Sequence, residues 1–169
     1  MSECPYKNEI KKFLELIMKP MEEFSGFPPC PFAAKELNQN KLMIEIFEPE
    51  KDSIVDMVKR LDASKFDSGL FLQKTKSKIS HKETYEYQNF INKVLEKSGY
   101  EKYKCICFNP EDPFEADGFN VRSKLPYFLI NIIEKNTLFS ANKKMKKTKY
   151  YDKMNQEYLD YLNVKRHKK

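Results

Sequence analysis

Between residues 104 and 133 the chain reads KCICFNPEDPFEADGFNVRSKLPYFLINII, two apolar runs separated by a polar loop with four acids and a single arginine. Arg122 is the group there with the most specific chemistry. A guanidinium presents a planar fork of donors that matches a carboxylate or phosphate, so Arg122 is the candidate clamp for an anionic ligand. Asn109 at the start of the loop, with Asn120 and Ser123 beside the arginine, supplies hydrogen-bonding groups that would orient such a ligand. The competing reading is an ion pair with Glu111, Asp112, Glu115 or Asp117 of the same loop. Nothing in the sequence makes any one of these partners obligatory.

Cys30 sits in SGFPPCPFAAKE, among three prolines. Those prolines should hold it on a stiff, extended path without regular helix. A thiol fixed in this way is a candidate nucleophile or redox group, and equally a small apolar side chain of the core. Cys105 and Cys107 alternate with Ile106 on a strand-like run. Both thiols should therefore share one face, too far apart along an extended chain to bridge. With Cys30 they would make a three-thiolate metal corner, but C-x-C is a poor zinc spacing and no fourth ligand is visible, so core packing is the simpler reading. The acids of PEDPFEADGF lack the spacing of a calcium loop and read as a solvated loop. His81 precedes a helical pattern and His167 lies in the tail. There is no glycine-rich phosphate loop, H-E-x-x-H or Ser-His-Asp order, so no cofactor is assigned.

The elements that must position these groups follow from periodicity. Residues 6–24 place Ile10, Phe13, Leu14, Ile17, Met21 and Phe24 on one helical face, with Pro20 kinking or ending it. Residues 41–47 form a strand with Leu42, Ile44 and Ile46 on one side, and 67–75 a second. Between them Pro49 stands as a first helical residue before Ile54, Val55, Val58 and Leu61. Ser80 and Glu83 fit a capping box for a helix over 81–98 that Gly99 stops, with Tyr87, Phe90, Ile91, Val94 and Leu95 as its apolar stripe. Strands follow at 103–108 and 127–133, then a short helix over 137–145 and a last helix over 150–164. The chain is thus read as α/β, a mixed four-stranded sheet in the order β-α-β-α-β-β along the chain, covered by helices, with an N-terminal amphipathic helix and C-terminal helices.

At 169 residues one domain can bury about 70% of its unfolded surface, and it is placed at residues 1–163 with a basic flexible tail at 164–169. The net charge is +6, but residues 141–169 carry +7 and the first 140 carry −1. A basic face spanning the fold is therefore excluded, and nucleic acid enters only through the C-terminal segment, where lysines interleave with tyrosines. No apolar run approaches a membrane span, and the N-terminus lacks the pattern of a secretion signal. With four scattered cysteines, the expectation is a cytoplasmic protein with reduced thiols.

Three segments together resemble a bacterial family, the domain of unknown function 1415. Cys30-Pro31-Phe32-Ala33 corresponds to its CPFA signature, Phe108-Asn109-Pro110 to a phenylalanine-histidine-proline motif, and Asn120-Val121-Arg122-Ser123 with Pro126-Tyr127 to an asparagine-arginine-serine-proline-tyrosine motif. Order and spacing agree over about residues 10–160. Here Asn109 replaces the family's histidine and Val121 is inserted, so histidine chemistry does not carry over. The resemblance implies the fold order and the importance of Cys30 and Arg122, and supplies no substrate. The functional expectation is an anionic small molecule bound between the third and fourth strands. An RNA-binding module and a thiolate metal or redox protein are the rival classes.

Overall fold

The computed structural model describes residues 5–49, 51–73, 79–125 and 127–162, with side chains throughout except at 5–7 and 32–34. Its helices are α1 (Pro5–Met18), α2 (Pro31–Asn38), α3 (Ile54–Asp62), α4 (His81–Lys97), α5 (Lys135–Met145) and α6 (Gln156–Tyr161). The strands β1 (Leu42–Phe47), β2 (Ser68–Gln73), β3 (Tyr103–Phe108) and β4 (Leu129–Glu134) form one sheet in the spatial order β1-β2-β4-β3. β1 and β2 are parallel, and β4 runs antiparallel to both of its neighbours. β1, β2 and β3 therefore point the same way, and β4 returns into the slot between the last two.

This topology places α3 and α4 on one face. Two crossovers of the same hand that step across a sheet in the same direction must cover the same side. On that side Met57, Val58 and Leu61 of α3 and Ile91 and Leu95 of α4 pack on Phe71, Cys105, Cys107, Ile130 and Ile132. The opposite face receives α1 through Ile10, Phe13, Leu14 and Ile17, together with the C-terminal segment through Tyr150, Tyr151, Met154, Tyr158 and Leu159. Alternation along β1 puts Leu42, Ile44 and Ile46 on this second side, as their spacing predicts.

Local signals set most boundaries. The capping box at α4 is formed in both directions, Glu83 N–H to Ser80 Oγ at 3.1 Å and Ser80 N–H to Glu83 Oε2 at 3.3 Å. Gly99 leaves the helix at a φ of +81°, the left-handed conformation that a glycine takes at least cost. α1 ends at Met18, two residues before Pro20, and a 3-10 turn at Glu22–Phe24 carries Phe24 into the core.

Five expectations are corrected. The proline-rich segment is not extended throughout, because Pro31 is the first residue of α2, where its missing N–H has no helical partner to lose. α3 begins at Ile54 rather than Pro49, since Ser53 caps it by accepting from the Asp56 N–H. Phe90 is exposed; Thr84, Gln88, Ile91 and Leu95 form the buried face of α4. β4 starts at Leu129, not 127. The last helix is only Gln156–Tyr161, because Asn155 caps it, and residues 150–154 reach the core through turns. The tail at 164–169 lies outside the described residues.

One buried acid gives the fold a pH signature. Glu36 of α2 is buried with Oε2 unpartnered, and burial, then the nearby Asp67, raises its carboxyl above the ordinary range. A carboxyl raised on folding contributes most below its ordinary pKa, and that contribution is lost as pH rises through the folded value. Glu36→Gln should therefore raise the melting temperature near neutral pH, with the gain over wild type shrinking as pH falls to about 4. Thermal melts across that range check it.

Candidate functional site

The loop at 109–128 joins two strands that lie side by side, so it must leave the end of the sheet and return. Its path is set by alternation: Asp112, Phe114 and Ala116 turn inward, while Glu111, Glu115 and Asp117 face solvent. Asp112 is the hub. Its Oδ2 accepts from Arg122 Nη1 at 2.6 Å and from the Asn109 N–H at 2.9 Å, and its Oδ1 lies 2.8 Å from His81 Nδ1. Asn120 Nδ2 donates to the Asp112 carbonyl at 2.6 Å, and Arg122 Nη1 also reaches the Cys107 carbonyl at 3.3 Å. Aromatic rings enclose the guanidinium, with centroids of Phe108, Phe114 and Tyr161 at 4.4, 4.6 and 4.8 Å from Cζ. Burial alone would favour loss of the charge, but Tyr161, Tyr158 and Asp112 outweigh it and raise the Arg122 pKa.

This changes the reading of four candidate residues. Arg122 is 3% exposed and has a structural partner in Asp112, so its charge is already matched and it is not a free clamp. Asn109 is buried and donates to the Ile79 carbonyl and Thr84 Oγ1, tying the loop to the start of α4. Asn120 caps the 3-10 turn Val121–Lys124 by accepting from the Ser123 N–H, and Ser123 Oγ donates back to the Asn120 carbonyl. These groups build the loop rather than a ligand cradle. The acidic loop is likewise not wholly solvated, since Asp112 is its anchor.

The three described cysteines divide between the two sides of the sheet. Cys105 and Cys107 are buried against α3 and α4 with their sulfurs 3.7 Å apart, while Cys30 packs on the opposite side. The three cannot meet around one ion, and among the described residues no cluster of three His, Cys, Asp or Glu groups is placed to hold a metal. Burial, then contact with Cys107, pushes the Cys105 thiol well up, which makes it unreactive.

What the loop does build is the end wall of a cavity of about 330 Å³ on the α1 side of the sheet. All four strands contribute to it, among them Leu42, Leu70, Ile106 and Leu129; Phe13, Leu14 and Ile17 of α1 form one side, and Leu138, Ala141 and Met145 of α5 another. Cys30, at the residue before α2, and Arg122 both reach its wall, as do Tyr150, Tyr151 and Tyr158. The Tyr150 hydroxyl donates to the Pro29 carbonyl, fixing the Cys30 segment to the C-terminal turns. Lys35 and Lys144 are exposed and border the cavity. Two further lining groups were not singled out in the sequence, Ser68 of β2 and Asn131 of β4. The signal for Asn131 was present, a lone amide inside LINII.

Known protein families, curated proteins and solved structures contain no match to the chain. Among the described residues no helix is long and apolar enough to cross a membrane.

Two expectations follow from this geometry. Arg122→Ala, which strands Asp112 in the interior, should cost about 3–5 kcal/mol, and the double variant Arg122→Leu with Asp112→Leu should cost less than the two single changes together; denaturant titration measures both. Native protein treated with iodoacetamide should be alkylated at Cys30 well before Cys105 or Cys107, which should react only after unfolding, as peptide mass spectrometry reads directly.

Proposed function

We propose that this protein binds a small amphipathic anion, with the apolar body of the ligand in the cavity against the sheet and its charged group at the Lys35 and Lys144 border. The cavity is the observation that carries this reading. Its 330 Å³ falls at the lower end of the range for small-molecule sites. At about 30 Å³ for a water-sized group it has room for on the order of ten non-hydrogen atoms. An apolar ligand body placed there gains about 0.8 kcal/mol for each methylene it buries, before ordering costs.

The anionic character rests on the lysines. Lys143, Lys144, Lys146, Lys147 and Lys149 are exposed along the end of α5 and the turn after it, and Lys35 stands at the border of the same cavity. RNA binding through this segment is less well supported, because its stacking partners are occupied: Tyr150, Tyr151 and Tyr158 are buried. Cys30 contributes to the wall, and the proposal assigns it no reaction. Each of the three segments behind the resemblance to the domain of unknown function 1415 family has a residue bordering the cavity, Cys30, Phe108 and Arg122, so a kinship would concern this site.

The test uses naphthalene-1-sulfonate, a fluorescent ten-carbon apolar body with one anionic group, and its displacement by dodecanoate. Saturable binding at one site per chain is expected. Ala141→Trp, which fills the cavity from α5, should abolish it without lowering the melting temperature. Reversing both border charges, Lys35→Glu with Lys144→Glu, should weaken dodecanoate by about fivefold or more while leaving dodecanol unaffected. Binding that does not saturate, or that survives Ala141→Trp, would sink the reading.

A further inference from the structure

The floor of the cavity contains two local violations of good packing. Asn131 occupies the middle of β4, a central strand, between Leu70 on β2 and Ile106 on β3. Ser68 opens β2 and is 0% exposed, between Leu42 on β1 and Ile133 on β4. The Ser68 Oγ and Asn131 Oδ1 atoms are buried and have no hydrogen-bond partner in the protein. Asparagine is disfavoured in strands, and a buried polar atom without a partner destabilises the fold. Apolar residues at both sites would give a better sheet. Such conflicts between local sequence and fold concentrate where function imposes them.

The register brings the two violations together. Ser68 pairs with Ile133 and Leu70 with Asn131, so Ser68 and Asn131 are diagonal neighbours on the same face of the β2/β4 ladder. Diagonal side chains stand about 7 Å apart at Cβ, too far for a direct bond but close enough for a single small group to touch both. Both residues line the cavity; their unpartnered oxygens are closed to water, so a ligand group reaches them as the two side chains rotate toward it. We propose that Ser68 and Asn131 are a specificity pair, recognising a hydroxyl set within the otherwise apolar body of the ligand. A hydroxyl is the group that fits, because it donates to the amide oxygen of Asn131 and accepts from the Ser68 hydroxyl at the same time. The ligand class is then a hydroxylated amphipathic acid rather than a plain fatty acid. The inference rests on the binding reading above and adds the polar determinant to it.

The probes are dodecanoate, 3-hydroxydodecanoate and 12-hydroxydodecanoate, each titrated against the wild-type chain and against Asn131→Leu and Ser68→Ala. In the wild type at least one hydroxylated acid should bind about tenfold more tightly than dodecanoate. Both substitutions should erase that preference, keep or improve dodecanoate binding, and raise the melting temperature of the free protein. Gain of stability together with loss of selectivity is the signature, since a merely structural polar pair would lose stability. Ser68→Ala is the smaller change and keeps the test standing if Asn131→Leu does not fold. Equal binding of all three acids by the wild type, or a preference that survives both substitutions, overturns the specificity pair while leaving the cavity a binding site. A lower melting temperature in both variants would show the two groups satisfied by bound water, and overturns it too. If none of the three acids binds, the binding reading fails and the pair with it.

Discussion

The buried Asp112–Arg122 pair is the constraint on which the site depends. Removing two charges from water is expensive, and their attraction compensates only if the remaining lone pairs and protons are also satisfied. Here they are: the Asn109 N–H and His81 complete the carboxylate, the Cys107 carbonyl accepts from the guanidinium, and three aromatic rings stand around it. These contacts come from four separate parts of the chain, residues 107–109, His81, Phe114 and Tyr161. The pair therefore fixes the end of β3, the start of α4, the 3-10 turn and the C-terminal aromatics relative to one another. The cost of stranding either charge makes that arrangement hard to vary.

From that anchor the loop at 109–128 acquires a second task. The Asp117 N–H donates to the Lys153 carbonyl at 2.8 Å, the Asn155 N–H to the Glu115 carbonyl at 2.7 Å, and Asn155 Nδ2 to the Pro113 carbonyl at 2.9 Å. The loop thereby holds residues 150–159 against the sheet as the far wall of the cavity. The two faces of the sheet consequently differ. The side under α3 and α4 is packed by interlocking apolar residues with two inert thiols. The side under α1 and α5 leaves a volume between its elements, with polar groups in its floor. α5 follows β4 without a connecting loop and has no fully buried residue, so it covers the cavity without closing a core of its own.

Much of this architecture was legible from local signals. The period of apolar residues located α1, α3, α4 and the four strands, and the Ser80–Glu83 box and Gly99 placed the ends of α4, because capping and backbone conformation depend on neighbours in sequence. The misjudged places share a cause. Pro31 starts a helix in one context and breaks one in another, and Pro49 was outranked by the cap at Ser53. Phe90 fits the inward stripe by its apolar type, yet a helix of this orientation buries Thr84 and Gln88, whose side chains bond to Asn109 and to the Cys107 N–H.

The sequence by itself determined the α/β class, the order of elements apart from α2, the presence of a polar loop with one arginine between two apolar strands, and the separation of a basic C-terminal segment from a neutral body. These depend on composition, spacing and near neighbours. Tertiary structure alone decided that β4 inserts antiparallel between β2 and β3, that Asp112 rather than any of three other acids takes Arg122, and that Cys30 and the Cys105–Cys107 pair occupy opposite sides. It also decided that Ser68 and Asn131, 63 positions apart, become diagonal neighbours in one cavity. Pairing across a sheet and the choice among equivalent acids are set by which surfaces can be buried together, and that quantity belongs to the assembled fold rather than to any stretch of chain.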